Sequence, residues 1–420
     1  MIEALRDPGT GTPESTREIS LVQARALAKD LFEHSAWIYW TDFLLSMSVA
    51  YGAVALYLSS PIFSPRSLIG FTIAAFALFR CGVFIHEIAH LPRKRMRLFR
   101  TTWNILFGIP VLMPSFMYKN HVDHHNPRHF GTVQDGEYLA LGAGPVRRIV
   151  VYFLQVPLLP ALAILRFLVL TPLSFLHPRL RRWVLERASS YVINPNYRRT
   201  VPTDEPHGSW IALEVAIFLE LAVFAALLLS GQVAWSVFVE LYVLGMAASG
   251  LNWIRTIAAH GYRNTGSTMS FVEQIEDSNT VTGHPLLTEL LFPVGLRYHC
   301  LHHMLPSLPY HSLGIAHRRL MAQLPADSPY RSTIRRGFLE TAGELWRSAS
   351  TSGQGTLIQG FAQLSCGSKR LRELRSLIAR CGPSRATRAP HAAHPATSSG
   401  AARREERASS PTYTTARRKR

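Results

Sequence analysis

Charged residues are scarce in this sequence. Asp, Glu, Lys and Arg make up 17% of the 420 residues, whereas 47% are hydrophobic; an ordinary globular protein has roughly 25% charged residues. The four cysteines form no CxxC pair, and residues 1–16 contain no apolar run. This composition excludes a disordered chain and a secreted disulfide scaffold, and we expect no cleavable signal peptide.

The positive charge is concentrated towards the carboxyl end. Of the net charge of +18, residues 369–420 contribute +11, from 14 Lys and Arg against 3 Asp and Glu. No basic groove with interleaved aromatic residues and no nucleic-acid motif accompanies this charge, so we expect no nucleic-acid partner. Basic segments on the inner side of a membrane protein explain it more simply.

The apolar residues fall into long runs. A helix needs about 20 apolar residues to span a membrane, and four runs qualify, at residues 37–58, 67–86, 209–230 and 233–254. Short turns join them in pairs, which predicts two helical hairpins. A fifth run, 149–176, is interrupted by three prolines and an arginine. We expect it to be interfacial or re-entrant, because the histidine motifs share one side only if an even number of crossings separates them.

The charges of the loops predict the orientation. Residues 91–100 carry five Lys and Arg, and 177–187 are also basic, whereas the two hairpin turns contain one Arg between them. The positive-inside rule then places both termini and the histidine motifs on the cytoplasmic side. We therefore predict an all-α integral membrane fold, with four transmembrane helices in two hairpins and a cytoplasmic, histidine-rich helical cap.

The predicted organisation has four parts. Residues 1–35 form a cytoplasmic segment, in which 17–34 has the spacing of an amphipathic helix. Residues 36–335 form the membrane domain, and 336–381 form a helical extension. Residues 382–420 are rich in Ala, Arg, Ser, Pro and Thr, with almost no large apolar side chains, which predicts a disordered basic tail.

Eight of the eighteen histidines form three clusters. The motifs are HEIAH at residues 86–90, HVDHH at 121–125 and HCLHH at 299–303. Spacings of three and four residues place the histidines of each motif on one face of a helix, where converging imidazoles can bind a divalent transition metal. Because zinc usually accepts four ligands in all, eight imidazoles indicate two metal ions. His260, directly after the last predicted span, is a ninth candidate.

In this order and topology, the three motifs resemble the histidine boxes of the membrane fatty acid desaturases (HxxxH, HxxHH and HxxHH). The resemblance covers roughly residues 36–335, and residues 295–321 are especially similar to the third-box region of bacterial members. Carried over by position, the metal ligands that it implies are His86, His90, His121, His124, His125, His260, His299, His302 and His303. Thr256 is a departure, since some members place Asn four residues before the histidine that corresponds to His260.

The resemblance implies two non-haem iron ions, O2 as co-substrate and the introduction of a double bond into a fatty acyl chain, linked to CoA, a carrier protein or a lipid. The sequence has no fused cytochrome b5 signature (HPGG) and no flavin or Rossmann glycine motif. We therefore expect a separate electron donor, such as a ferredoxin or a cytochrome. Glu87 and Asp123, inside the boxes, are candidates for the carboxylates that accept the free N–H of metal-bound imidazoles.

Two alternatives stay open at this point. HEIAH also satisfies the HExxH pattern of zinc metalloproteases, with Glu87 as general base, but that interpretation leaves the other two motifs and His260 unexplained. Hydroxylases and ketolases of alkyl chains or carotenoids look similar to the desaturases, and their reactions diverge only after the first hydrogen abstraction. The similarity of residues 295–321 favours desaturation over these reactions.

Overall fold

The computed structural model describes residues 22–91, 96–201 and 207–352. Its α-helices, in chain order, are α1 (Ala36–Ser59), α2 (Pro65–His90), α3 (Arg97–Trp103), α4 (His121–His124), α5 (Arg147–Leu154), α6 (Leu159–Ile164), α7 (Thr171–Ser174), α8 (Pro178–Arg187), α9 (His207–Leu229), α10 (Trp235–Thr256), α11 (Phe271–Asp277), α12 (Pro285–Leu291), α13 (His299–Met304), α14 (Tyr310–Gln323) and α15 (Pro329–Ser332). Short 3-10 or π segments lie at Lys29–Leu31, Asn104–Gly108, Ser115–Tyr118, Val156–Leu158, Leu165–Leu170 and Leu296–Tyr298. Residues 22–27 and 338–352 are also helical.

Five helical segments of the described chain are long and apolar enough to cross a membrane. Four of them, α1, α2, α9 and α10, coincide with the predicted spans. The fifth, Arg147–Ser174, is the interrupted run that we expected to be interfacial or re-entrant. The chain is thus a mostly helical, multi-pass membrane protein, while the number of crossings and the side of the membrane stay predictions.

The first hairpin packs closely where its two helices cross. The Ser64 side chain caps α2 by accepting a hydrogen bond from the Ser67 N–H at 3.2 Å, and Pro65 occupies the first turn. A Cβ atom at Gly70 would lie only 2.7 Å from the backbone nitrogen of Tyr57. Glycine therefore permits the close contact that fixes α2, the helix carrying the first histidine motif, against α1.

The interrupted run folds as a series of short helical pieces. Prolines occupy the first turn of Val156–Leu158, of α6 and of α7, where the missing N–H costs no helical hydrogen bond. In the π segment Leu165–Leu170, the buried Arg166 pairs with Glu214 of α9, and Arg181 of α8 binds the same carboxylate. The charge that interrupts the apolar sequence is thus neutralised inside the protein.

A histidine-rich layer follows the ends of the apolar helices and contains a small sheet. Strands β1 (Thr280–Val281) and β2 (Ile334–Arg335) pair in parallel, an exception of two residues per strand in a described fold that is otherwise mostly helical, as predicted. Three of these four residues are β-branched, which favours extended backbone. The pairing ties the segment after α11 to the chain that leads into helical residues 338–352.

The segment before α1 packs on this layer. Ala24 and Ala28 are completely buried in a cluster that includes Leu301 and Leu313. Within the predicted amphipathic helix, residues 22–27 are helical and Lys29–Leu31 form a 3-10 turn. Residues 1–21, 92–95, 202–206 and 353–420 lie outside the described part of the chain. The predictions for the start of the amphipathic helix, for part of the basic loop, for most of the helical extension and for the basic tail fall there.

Candidate metal centre

The nine predicted histidines are carried by four elements. The first motif is the last turn of α2, the second forms the single turn α4, and the third opens α13. Pro127 and Pro306 follow the second and third motifs closely, and the residue before a proline is driven out of helical geometry. The helices α4 and α13 are therefore short. His260 lies in the chain just after α10.

The histidines converge into two groups whose ligand atoms lie within 4.8 Å of one another. The five-histidine group consists of His86, His90, His121, His125 and His302. The four-histidine group consists of His124, His260, His299 and His303. The groups are adjacent, since the rings of His125 and His303, one from each group, stack with their centroids 4.2 Å apart.

Residue spacing decides which group a histidine joins. Each pair four residues apart in a motif stays together, as His121 and His125 do in one group and His299 and His303 do in the other. A histidine three residues after the first histidine of its motif belongs to the other group, as His124 does relative to His121. The α-helical repeat explains this, because residue i+4 lies about 40° from residue i whereas residue i+3 lies about 60° away on the other side.

The distances between ring nitrogens fit metal ligation. In the five-histidine group, His302 Nε2 lies 3.1 Å from the Nε2 atoms of both His90 and His125. In the four-histidine group, His260 Nε2 lies 2.8 Å from His299 Nε2 and 3.1 Å from His124 Nε2. Two nitrogens bound to one ion at about 2.1 Å and at right angles lie about 3.0 Å apart. The nitrogens are therefore spaced as ligands of a shared ion are.

Several of these nitrogens have no hydrogen-bond partner within the described chain. Both ring nitrogens of His86 are buried and unpartnered, as are the Nδ1 atoms of His125, His299 and His302. Leaving buried polar atoms unsatisfied destabilises a protein. A metal ion in each group would satisfy the Nε2 of His86 and the nitrogens that otherwise face each other, so the residues present fit two ions.

Two carboxylates orient histidines of the second motif. The Nδ1–H of His121 donates to Glu137 at 2.9 Å, and the Nδ1–H of His124 donates to Asp135 at 2.9 Å. Asp135 is completely buried and also accepts the N–H of Gly131, whose positive φ of 70° suits glycine. A proton held on Nδ1 leaves the Nε2 lone pair free for a metal ion.

His260 is oriented by a hydroxyl group. The Ser278 hydroxyl donates to the Gln274 carbonyl at 2.8 Å, so its oxygen accepts from His260 Nδ1–H, 3.2 Å away. The Asp277 carboxylate lies 3.9 Å from the same nitrogen. His260 therefore also presents Nε2 to its group. Asp135, Glu137, Asp277 and Ser278 lie outside the motifs, so the histidine pattern did not predict them.

The two carboxylates predicted from the motifs point elsewhere. Glu87 accepts hydrogen bonds from the Tyr39 hydroxyl and the Tyr310 N–H, and its oxygen lies 3.9 Å from His86 Nδ1. Asp123 accepts from His129 at 3.2 Å and from the Tyr197 hydroxyl at 3.0 Å. Neither is hydrogen-bonded to a grouped histidine in the described residues. Glu87 is thus held by its tyrosine partners, unlike the free general base of a zinc protease.

Thr256 makes a side-chain hydrogen bond within α10. Its hydroxyl donates to the Asn252 carbonyl of its own helix at 2.8 Å. The hydroxyl proton of Thr256 is thus used within the helix.

Burial keeps most of the candidate ligands outside the apolar helices neutral. Together with neighbouring imidazoles or Arg255, it lowers the pKa well below the usual range for His121, His125, His260, His299, His302 and His303. Burial also acts to lower the pKa of His124, but the adjacent Asp135 carboxylate outweighs it and the pKa is raised. Burial raises the pKa of Glu137 to about 7. Neutral imidazoles are the form that metal ions bind.

Comparison with known proteins identifies the family. Residues 63–334 match the fatty acid desaturase family. The chain is also 37% identical over 337 residues to a ceramide hydroxylase of Caulobacter vibrioides, an alignment that covers 80% of this chain and 95% of the relative. The protein therefore belongs to the fatty acid desaturase family, which confirms the resemblance seen in the histidine motifs.

Proposed function

We propose that this protein is an O2-dependent, di-iron membrane oxidoreductase that hydroxylates the hydrocarbon chain of a ceramide. The observation that carries the proposal is the 37% identity to a ceramide hydroxylase, which extends over 95% of that relative. Residues 63–334, which match the desaturase family, contain the nine histidines of both groups as well as Asp135, Glu137 and Asp277. The proposed substrate is thus a membrane lipid with its own long alkyl chain.

Each histidine group would hold one iron ion. The ions would be bound by His86, His90, His121, His125 and His302, and by His124, His260, His299 and His303. When bound, the irons supply the activation of O2 for attack on an unactivated C–H bond. Imidazole ligands suit this chemistry because, unlike thiolates, they are not readily oxidised.

The protein's own residues prepare and enclose the centre. Asp135 and Glu137 keep the Nδ1 protons of their histidines in place, and Ser278 does so for His260. With Asp277, these carboxylates also offset part of the positive charge of two metal ions. Seven of the nine histidines are buried and two are half-buried, so the protein excludes bulk water from the reacting centre.

Desaturation is the second candidate function. It is supported by the resemblance of residues 295–321 to the third-box region of bacterial desaturases. Both reactions consume O2, two external electrons and two protons. Hydroxylation leaves one oxygen atom in the lipid and releases one molecule of water, whereas desaturation removes two hydrogens from neighbouring carbons and releases two molecules of water.

The orientation and the electron supply belong to the same proposal. The positive charge of the basic loop segments supports a cytoplasmic position for the histidine-rich layer, where a soluble electron donor could reach it. The sequence carries no flavin or haem-attachment motif of its own. A separate ferredoxin or cytochrome is therefore the proposed source of electrons.

Lipid analysis of a ceramide-producing bacterial host tests this function. The host would express the protein, the variant His125→Ala and the matched control His129→Ala, which removes a histidine outside both groups. We expect mass spectrometry to find ceramides with one added oxygen atom in the host with the intact protein and with His129→Ala, and none with His125→Ala. Ceramides or fatty acids that have lost two hydrogens would establish desaturation instead.

A further inference from the structure

An exposed basic groove lies on the histidine-rich layer. It encloses about 620 Å³, and its lining includes Arg263, Arg335, Arg347 and Glu344. The groove combines the loop after His260, strand β2 and helical residues 338–352. It therefore brings Arg263 to the same surface as Arg335 and Arg347, which follow it by more than 70 residues.

The floor of the groove leads to a candidate metal ligand. A smaller cavity of about 30 Å³ shares Arg263, Arg335 and Glu344 with the groove and is also lined by His260 and Asp277. Arg263 follows His260 by three residues, so their Cα atoms lie at most about 11 Å apart. A molecule seated in the groove would thus lie close to the four-histidine group.

The groove has an excess of positive charge. Arg335 pairs with Glu344 at 2.9 Å. Arg263 and Arg347 are exposed, and neither forms an ion pair with a carboxylate in the described part of the chain. The Arg347 Nε–H donates only to the Gly343 carbonyl of its own helix, at 3.3 Å. Both guanidinium groups therefore lack a direct ion pair, although Arg263 interacts electrostatically with the buried Asp277, and both can meet an acidic partner at the surface.

We propose that this basic groove is the docking site of a small acidic electron-carrier protein. The inference rests on the proposed function, which consumes two electrons and two protons with each O2, leaving one oxygen atom in the lipid and one in water. A one-electron carrier must therefore dock twice in each turnover, and two carrier molecules are oxidised. Opposite charges on two surfaces accelerate such transient encounters by 10-fold or more.

A charge-reversal experiment tests the docking site. The double variant Arg263→Glu/Arg347→Glu is compared with the wild type and with Arg182→Glu/Arg187→Glu. The control reverses two exposed arginines of α8 and changes the net charge equally. The probe is an acidic [2Fe–2S] ferredoxin with its reductase. Its binding to the iron-loaded protein in neutral-lipid nanodiscs and its rate of oxidation are measured at several salt concentrations.

At low salt, we expect the affinity of the groove variant for ferredoxin and its rate of ferredoxin oxidation each to be about 10-fold lower than in the wild type. Both quantities should also change much less with salt concentration than they do in the wild type. The control should stay within about twofold of the wild type. Product formed from ceramide after chemical reduction by dithionite, which needs no docking, should be unchanged in both. Arg347→Glu alone should weaken ferredoxin binding about threefold, and it serves as the test if the double variant loses its dithionite-driven product.

Equal ferredoxin binding by the groove variant and the control would overturn the proposal. So would a groove variant that keeps its ferredoxin affinity and loses affinity only for nanodiscs containing anionic lipid, because the arginines would then bind membrane phosphates. Failure of the proposed function looks different. In that case dithionite-reduced wild type forms no oxygenated or unsaturated ceramide, while ferredoxin binding still reports on the groove.

Discussion

The two histidine groups differ in how firmly the protein supports them. All four members of the four-histidine group are buried, and His124 and His260 are oriented by Asp135 and Ser278. In the five-histidine group, His90 and His125 are half-buried, and the Nδ1 atoms of His86, His125 and His302 have no partner among the described residues; in the four-histidine group the same is true of His299. The four-histidine group thus has fewer ligands, but it is fully buried and two of its members are oriented by hydrogen bonds. The five-histidine group has one more ligand and is more exposed.

The largest expected difference between the two groups is in iron content after one histidine is removed from each. His299→Ala leaves three ligands, so we expect iron to fall from about two ions to about one per chain and activity to fall more than about 100-fold. His90→Ala leaves four ligands in its group. That variant should retain about two irons. Elemental analysis of purified protein, paired with product formation, measures both effects.

Equal iron loss in the two variants would remove the distinction between the groups. His129→Ala provides the control, because His129 lies near the second motif but belongs to neither group. Its iron content should equal that of the wild type.

The orienting carboxylates should have the next largest effect. Replacing such a partner typically weakens metal affinity by 10- to 100-fold. We expect Asp135→Asn to reach the upper part of this range, because Asp135 is completely buried and binds His124 together with two backbone N–H groups. Glu137→Gln should stay in the lower part, since Glu137 supports only His121 in the group with a spare ligand.

Competition with a chelator measures the iron affinity of each histidine group. Each variant is titrated with a chelator of known iron affinity, and the two release steps are compared with those of the wild type. Asp135→Asn should weaken the tighter step and Glu137→Gln the other. A larger loss in Glu137→Gln would reverse the proposed ranking of the two groups.

A histidine outside both groups should give the smallest effect. Burial, together with Arg297 and Arg318, lowers the pKa of His317 to about 4, and its Nδ1 accepts a hydrogen bond from the Tyr330 hydroxyl at 2.6 Å. The unfolded chain has a histidine pKa of about 6.5. The unfolded state therefore binds more protons below that pH, and stability is lost as the pH falls from about 6.5 towards 4.

His317→Gln should reduce this acid sensitivity. We expect the drop in Tm between pH 7 and pH 5 to be smaller than in the wild type, by no more than about 2 °C. Thermal unfolding in detergent at both pH values measures it. An unchanged drop would mean that the titration of His317 does not contribute to stability.

The histidines could be predicted from the sequence, and the residues that orient them could not. Spacings of three and four residues have a fixed meaning on a helix, so the motifs around His121 and His299 were visible without a structure. Asp135 and Asp277 lie in no such pattern and reach their histidines across loops of irregular backbone. Glu87 and Asp123 were the nearest acidic residues in sequence, but their side chains bind tyrosines and His129 instead.

The same contrast holds for the fold. Four apolar runs of about 20 residues predicted α1, α2, α9 and α10, because length and composition alone define such helices. For the run 149–176, the sequence did not show how Arg166 is accommodated, because its partner Glu214 lies 48 residues further along the chain. Pairing between β1 and β2 also joins residues more than 50 positions apart. Contacts of that kind leave no local signal in the sequence.

The turn α4 has a consequence for how the protein acquires its iron. Within five residues, this turn gives His121 and His125 to one group and His124 to the other. The first ion to bind would immobilise the shared turn, so the second would meet ligands whose disorder has already been lost. Uptake of the two ions should then be cooperative. Each group should therefore bind its ion more tightly when the other group is already occupied than when it is empty.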